Sequence, residues 1–343
     1  MNDPAPGGSP ESRKFALKRP SVRAPGDAGH VSLTCKSVGG VMRFVSLFSC
    51  LAAAPLLMGA AQPVSLQPSS PWNVDYSENS CRLSRAFGEG DRKIILSLES
   101  EAPGQTDMFV LGKTLTSYSD EVSGRFLPLQ AKPMKGHTAQ SPFGTAVLWS
   151  RVRLLTDEIV EMNERRDEER RRDPSVRPPP IDLAEKAEAD AQRLEFAANV
   201  TQLEIGTGRR RPMILETGSL GAAIKAFDQC SRDSLRDWGV DPDVEDKIVR
   251  RAWSPDVYKW FTSRDYPPTM VSRGEQADVK VRLLVDTAGR VTKCTSLSHF
   301  KEKLFNEVVC DKFTKRARFV PAELADGTKV PSYYVNHVIF RMP

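Results

Sequence analysis

Hydrophobic and polar residues alternate in several short segments between residues 72 and 129. The segments WNVDY, CRLSRAFG, KIILSLES and MFVLGKTL are separated by turns rich in Gly, Asp and Pro. Alternation with a period of two is typical of strands that bury one face. The pattern therefore predicts a sheet of short, mostly antiparallel strands, which TAVLWSRVRLL at residues 145–155 could continue.

Helical segments follow this sheet. A heavily charged one ends near Asp173, PSVRPPP interrupts the pattern, and LAEKAEADAQRLEFAAN resumes it, because proline cannot continue a helix. VTQLEIG and RPMILETG are two further strand candidates, and a predicted helix over residues 219–238 carries Cys230. We therefore expect residues 72–240 to form one α+β domain.

A second, smaller unit is predicted after a connector at residues 241–265. Its elements are two strands, a helix and a last strand, at residues 277–285, 290–297 and 300–315 and in SYYVNHVIF. The helical pattern places Phe300, Leu304, Val308 and Phe313 on one face. The unit is thus predicted to have the order ββαβ.

The first two strands of this unit are joined by Asp286-Thr287-Ala288-Gly289. These letters also match the γ-phosphate-sensing element of small GTPases, which requires a G-x-x-x-x-G-K-[ST] phosphate cradle as well. The single Gly-Lys-Thr of the chain begins at Gly112, and Asp107 stands where the first glycine of the cradle would be. Because Asp caps tight turns and Gly takes a positive φ, we interpret the quartet as a hairpin turn.

The length and the net charge of the chain limit the classes of protein to which it can belong. The chain has 343 residues, enough for two domains with ordinary cores, and a formal net charge of +5. Its densest charged run, NERRDEERRRD, mixes both signs. A nucleic-acid-binding protein would show a stripe of one sign with interleaved aromatic residues, so we expect no nucleic-acid partner.

The N-terminal segment has the layout of an export signal. Residues 1–41 are rich in Pro, Gly and Ser, and we expect them to be disordered, or not translated if translation begins at Met42. Residues 42–61 combine one positive charge, an uncharged run and small residues at Gly59 and Ala61, as in a signal peptide cleaved after Ala61. The alternative is an uncleaved signal-anchor. Residues 62–71 would then be a linker.

Four cysteines remain after the leader: Cys81, Cys230, Cys294 and Cys310. An even number in an exported chain favours disulfides. None of the four lies in a C-x-x-C pair, so we do not expect zinc or thioredoxin-like chemistry.

Enzymatic motifs are lacking in the exported sequence. It contains His137, His299 and His337, and it has no G-x-S-x-G, H-E-x-x-H or dinucleotide fingerprint. Glu216-Thr217-Gly218 is similar to the Asp-Thr-Gly of aspartic proteases but has glutamate in place of aspartate, and we interpret it as a turn at a strand end. We expect no catalytic residue, metal or cofactor.

The order of features near the C-terminus resembles the C-terminal domain of the TonB family. The matching features are Tyr266-Pro267-Pro268, an alternating strand, the turn ending at Gly289, a second strand, a helix, RARFVPA, Asp326-Gly327, Val330-Pro331 and VNHVIF. The resemblance covers about residues 266–343, and it rests on order and spacing together. Residues 72–238 also resemble the companion domain of some alphaproteobacterial TonB-family proteins.

The resemblance implies a Gram-negative periplasmic module with a three-stranded antiparallel sheet and helices on one face. In that family the module binds an extended segment of an outer-membrane TonB-dependent transporter by strand addition, in which backbone groups at a sheet edge pair with a peptide. Here the resemblance implies that the closing strand binds the partner. Its residues are Tyr333, Tyr334, Val335, Asn336, His337, Val338, Ile339 and Phe340.

The resemblance also bears on the cysteines. Cys294 and Cys310, on a predicted strand and helix, resemble a cysteine-bearing branch of the family, and we expect them to be paired. Cys81 and Cys230 are then the remaining pair. The alternative is that the thiols are reduced.

Two functions remain open. The protein is either an energy transducer or adaptor in transmembrane transport, or a non-transducing periplasmic scaffold; an enzyme is a third, disfavoured class. A transducer of the family keeps a membrane helix with a functional histidine, which engages an inner-membrane motor complex, and a long proline-rich spacer. Residues 44–61 contain no histidine, and about ten residues, reaching roughly 35 Å, separate Ala61 from Trp72.

Overall fold

The structure is a computed structural model that describes residues 63–77, 79–113, 115, 121–141, 143–173, 176–206, 212–297 and 303–342. These residues lie in one compact unit. The predicted leader and export signal, residues 1–61, lie outside the described residues. Within the described ranges, no helix is long and apolar enough to cross a membrane.

Ten strands of the N-terminal part form one sheet. They are β1 (Val64–Leu66), β2 (Asn73–Tyr76), β3 (Cys81–Phe87), β4 (Ile94–Ala102), β5 (Gln105–Gly112), β6 (Glu121–Leu127), β7 (Met134–Ser141), β8 (Gly144–Trp149), β9 (Gln202–Gly206) and β10 (Met213–Leu215). The strand order is β1-β10-β9-β6-β7-β8-β5-β4-β3-β2. Only the β1–β10 pair is parallel among these pairings, so the predicted mixed domain rich in antiparallel strands is confirmed.

The sheet curls back on itself. Just after β1, Pro68 bridges Phe87 at the end of β3, and the Gly88 N–H donates to the Gln67 carbonyl at 2.9 Å. The expected linker at residues 62–71 therefore contains a strand of the sheet. Three residues are too short to show a periodic pattern, so nothing in the sequence distinguishes this strand from a linker.

Three helices accompany the sheet: α1 (Asp157–Arg172), α2 (Leu183–Asn199) and α3 (Gly221–Trp238). α3 buries Ile224, Phe227 and Cys230 in the same hydrophobic core as β3 and β4. A disulfide between Cys81 and Cys230 ties α3 to β3. This pair is the one predicted from the sequence.

Strands β6 and β7 do not show the regular alternation of hydrophobic and polar residues. Glycines occupy positions at which a side chain would point at Trp149. A Cβ on Gly124 would lie 2.9 Å from the indole ring, and a Cβ on Gly136 would lie 2.6 Å from it. Trp149 is fully buried above them. The glycines are therefore required by packing in a strand, although glycine alone suggests a loop.

The C-terminal part begins with the predicted connector, which has structure of its own. It contains α4 (Pro242–Glu245), β11 (Ile248–Arg250) and two one-turn 3-10 helices, Val257–Lys259 and Ser263–Asp265; a further 3-10 helix, Gly90–Arg92, precedes β4. The later elements are α5 (Pro268–Arg273), β12 (Ala277–Val285), β13 (Val291–Ser296), α6 (Lys303–Arg316), β14 (Ala322–Leu324), β15 (Lys329–Val330) and β16 (Ser332–Phe340). β11, β14 and β15 form a small sheet.

The predicted three-stranded antiparallel sheet is confirmed, in the order β13-β12-β16. α6 packs on one face through Phe305, Val309 and Phe313, and a second disulfide joins Cys294 of β13 to Cys310 of α6, as predicted. Phe313 is buried as predicted, but Phe305 and Val309 are buried in place of the predicted Leu304 and Val308, because apolar residues occur in adjacent pairs along α6. Phe300 lies outside the described residues.

The β12–β13 connection is a tight turn, as the sequence indicates. Asp286 Oδ1 accepts the N–H groups of Ala288 at 2.9 Å and Arg290 at 2.8 Å, and Gly289 has a φ of 77°. The Gly289 carbonyl also accepts the Phe319 N–H at 2.8 Å. The turn is therefore fixed both by its own aspartate and by the chain that follows α6.

Substituting Gly289 tests this close approach. A Cβ there would lie 1.8 Å from the Phe319 carbonyl oxygen, whereas nothing lies within 4 Å of a Cβ on Gly327, whose φ is also positive at 84°. We expect Gly327→Ala to lower the free energy of unfolding by about 1 kcal/mol, the cost of a positive φ. Gly289→Ala should lower it by about 3 kcal/mol, because backbone must also move. Denaturant unfolding of both variants measures this, and equal losses would refute the close approach.

Candidate functional site

The predicted docking strand, β16, pairs with β12 along its whole length, from Ser332 opposite Val285 to Phe340 opposite Ala277. On the other side of β12, the Lys280 carbonyl accepts the Leu297 N–H at 2.8 Å. In an antiparallel ladder, the N–H and C=O of one residue point to the same neighbouring strand. The backbone N–H and C=O groups of the even-numbered residues of β12 therefore point at β13. Those of the odd-numbered residues point at β16.

The same alternation divides β16. Its even-numbered residues direct their N–H and C=O groups at β12, and Tyr333, Val335, His337 and Ile339 direct theirs away from the sheet. In the part of the chain that the structure describes, no backbone hydrogen bond joins these four residues to another element. β16 is thus an edge strand with an outward row of donors and acceptors.

The even-numbered side chains of β16 lie on the same face as α6. The Tyr334 ring lies 5.0 Å from that of Phe319 and 6.4 Å from that of Trp260, and the Phe340 ring lies 5.2 Å from that of Tyr266. Tyr334 and Phe340 therefore contribute to the core. Because these two side chains are packed in the core, a partner would meet the outward backbone groups of the residues next to them in β16.

Residues 260–266 run across this face, and the buried Asp265 holds them in place. Its Oδ2 accepts Arg316 Nη1 at 2.7 Å and the Thr262 N–H at 2.9 Å. Burial alone would raise the pKa of Asp265, but the hydrogen bonds from Arg316 and Thr262 outweigh it and hold the pKa well below its usual range. Asp265 is therefore a charged anchor for the segment beside β16.

The opposite face of β16 meets the C-terminal end of α3 at one end of the strand. The Tyr333 ring packs edge-on against that of Trp238 at 5.7 Å, together with Leu235 and Val240. Burial raises the pKa of Tyr333 to about 12. At the other end of the strand, the Ile339 side chain is 55% exposed. The face of β16 opposite α6 is therefore covered near Tyr333 and exposed to solvent near Ile339.

Two cations of β12 complete this contact. Arg282, 3% exposed, stacks 3.5 Å from the centre of the Trp238 ring and donates from Nη1 to the carbonyls of Asn79 and Glu101, both at 3.2 Å. Lys280 forms ion pairs with Glu101 and with Asp107, the latter at 3.4 Å. We call the contacts of Arg282 and Lys280 the cation seam.

The surroundings of the seam shift the pKa values of both cations. Burial lowers the pKa of Arg282 to about 10. For Lys280, burial alone would lower the pKa, but the hydrogen bond to Glu101 and the nearby carboxylate charges raise it above its usual value. The seam was missed at the level of sequence, because Lys280 and Arg282 alternate with apolar residues as solvent-facing residues do.

The remaining polar candidates have structural contacts. His337 Nδ1 lies 3.3 Å from Asp278 Oδ1, and the Glu216 carboxylate accepts Ser65 Oγ at 2.6 Å and Gln202 Nε2 at 2.9 Å. His137 lies on β7, and His299 is outside the described residues. In the described ranges, no group of three or more His, Cys, Asp or Glu side chains could hold a metal ion.

Replacing Arg282 tests the seam. Arg282→Met keeps most of the aliphatic stem but removes the buried guanidinium, which leaves the half-buried carbonyls of Asn79 and Glu101 without this donor, so we expect the free energy of unfolding to fall by about 3 kcal/mol. Arg290→Met is the matched control in the same hairpin. Arg290 is exposed beside Asp286, and its loss should cost less than about 1 kcal/mol. Equal effects in denaturant unfolding would contradict a stabilising seam.

The pKa of Asp265 predicts a pH dependence. Because the folded-state pKa is depressed, the stabilisation by its carboxylate is present above the unfolded-state pKa of about 4 and is lost as pH falls towards the folded value. At pH 7 we expect Asp265→Asn to unfold more readily by about 2 kcal/mol. The difference from wild type should shrink as the pH falls below about 4. A difference that does not change with pH in denaturant titrations would contradict this assignment.

Comparison with known families agrees with this geometry. Residues 262–342 match the family model of the Gram-negative bacterial TonB protein C-terminal. No curated protein matches the chain. The matched range begins in the segment anchored by Asp265 and includes all of β16. Residues 262–342 are therefore a TonB C-terminal domain, and the chain carries a ten-stranded sheet in addition to it.

Proposed function

We propose that this protein binds the N-terminal segments of outer-membrane TonB-dependent transporters by strand addition at β16. The observation that carries the proposal is the outward row of backbone groups at Tyr333, Val335, His337 and Ile339, which pair with no other strand in the described part of the chain. Such a row is a template for an extended peptide, whose main chain supplies the affinity.

The other edge of the three-stranded sheet is a poorer template. β13 has six residues and exposes Thr292 and Lys293, whereas β16 has nine and no interior proline. Charged side chains on a short edge discourage strand addition. Pro331 stands before β16, where it costs no ladder bond. We therefore assign docking to β16 alone.

We further propose a periplasmic location. The two disulfides support an oxidising compartment outside the cytoplasm. If residues 42–61 are cleaved as a signal peptide, the protein is a free adaptor. If they are retained as an anchor in the inner membrane, it could engage the motor complex as a transducer. The N-terminal sequence of the mature protein, recovered from fractionated cells, decides between them.

The cation seam favours a second candidate, a non-transducing periplasmic scaffold. Arg282 and Lys280 attach the TonB C-terminal domain to the ten-stranded sheet by buried contacts. A transducer that crosses the periplasm needs its docking domain on a long spacer. The scaffold would use β16 in the same way but would hold its partner close to the first domain.

Proline substitutions test docking at β16. The His337 N–H faces outward, so His337→Pro should leave the sheet folded and remove one donor from the docking row. The Asn336 N–H faces β12, so Asn336→Pro should instead disrupt the β12–β16 ladder. We expect His337→Pro to bind a transporter N-terminal peptide at least about tenfold more weakly than His337→Ala, because the proline ring also blocks the approaching strand.

Titration of the full mature protein with labelled peptides measures the affinities, and circular dichroism verifies folding. His337→Ala is the matched control, since it changes the same side chain and keeps the N–H. Equal binding by the two His337 variants, or no binding by wild type, would refute the docking strand.

A further inference from the structure

The outward row of β16 is not uniformly free. The His337 N–H, near the middle of the row, donates to Oδ1 of the neighbouring Asn336 at 2.7 Å. Among the described contacts, Tyr333, Val335 and Ile339 have no side-chain acceptor on their N–H groups. One donor of the row is therefore already occupied in the absence of a partner.

The position of Asn336 in the ladder explains how its side chain reaches this donor. Its backbone pairs with Val281 of β12, which fixes the main chain. Its side chain is half-buried at the rim of the α6 face and can turn outward to the next N–H. Asn side chains that bond to a neighbouring backbone group compete with ladder formation. The flanking residues on that face, Tyr334 and Val338, pack against the core instead.

The His337 side chain does not take part in this cap. Its ring is held on the opposite face by Asp278, with 3.3 Å between Nδ1 and Oδ1. The approach to the His337 N–H is therefore controlled by Asn336. A peptide carbonyl that pairs with this N–H must replace Asn336 Oδ1.

We propose that Asn336 is an autoinhibitory cap on the docking edge, displaced each time an extended peptide adds to β16. This inference rests on the proposed function and adds a regulatory step to it. The cap exchanges one hydrogen bond for another on binding, so it weakens docking of every peptide by a similar factor. It also hides a donor from the exposed edges of other chains, and unpaired donors on an edge strand invite such pairing.

Two substitutions at one position separate the cap from a direct peptide contact. Asn336→Ala removes the acceptor and frees the N–H, so binding of a transporter N-terminal peptide should tighten about two- to tenfold, the range of one neutral hydrogen bond. Asn336→Asp keeps an acceptor of the same shape, and a charged acceptor forms a stronger bond. It should bind the peptide no better than wild type.

A second measurement needs no peptide. Amide hydrogen exchange at His337, followed by NMR on the full mature protein, should become about two- to tenfold faster in Asn336→Ala than in wild type. It should not become faster in Asn336→Asp. The Val335 amide, which also faces outward, serves as the internal reference.

The outcomes distinguish the cap from the docking function. Unchanged exchange at His337 in Asn336→Ala would refute the cap, whatever the peptide does. Faster exchange with weaker peptide binding would make Asn336 a peptide contact and would also refute it. Faster exchange with no peptide binding by any of the three proteins would refute the proposed function and leave the cap as protection of the edge.

Discussion

The register between β12 and β16 is the constraint on which the rest of the C-terminal domain depends. Side chains alternate with a period of two, so a slip by one residue would exchange the two faces of β16. Tyr334 and Phe340 would leave the core, and Tyr333 would leave Trp238. The same register decides which N–H groups face outward. Packing on both faces therefore determines what the open edge offers to a partner.

β12 is unusual because both of its faces are buried. The side chains of Val279, Val281 and Leu283 pack on the α6 face. Those of Lys280 and Arg282 lie on the other face and form the cation seam. The charges of the two parts suit this contact. Residues 262–342 contain 14 Lys and Arg against nine Asp and Glu, and residues 63–261 contain 28 against 32. The basic domain thus packs against an acidic one. Buried cations are tolerated in proteins when they are paired with opposite charges.

Much of the fold could be predicted from local pattern and turn chemistry. The bounds of β12 and the Asp286 turn follow from the alternation pattern and the turn residues themselves, whereas the pairing of Cys294 with Cys310 was implied by the family resemblance. The failures have a common physical cause. Gly124 and Gly136 are glycines because Trp149, from another strand, occupies their side-chain space. Arg282 is buried because Trp238, from a distant helix, covers it. Neither fact has a local signal, since the partner that determines it is remote in sequence.

An edge strand must reconcile two opposing demands. It must leave backbone groups unpaired to bind a partner, yet unpaired groups on a long edge also invite pairing with other chains. Proline or a bulge would protect β16 permanently and would abolish docking as well. A side-chain acceptor such as Asn336 protects reversibly, because its hydrogen bond is weak enough to be exchanged for that of a peptide. The sequence around it fits this compromise: Tyr334 and Phe340 fix the strand from one face and Tyr333 from the other, so that only the edge itself remains adjustable.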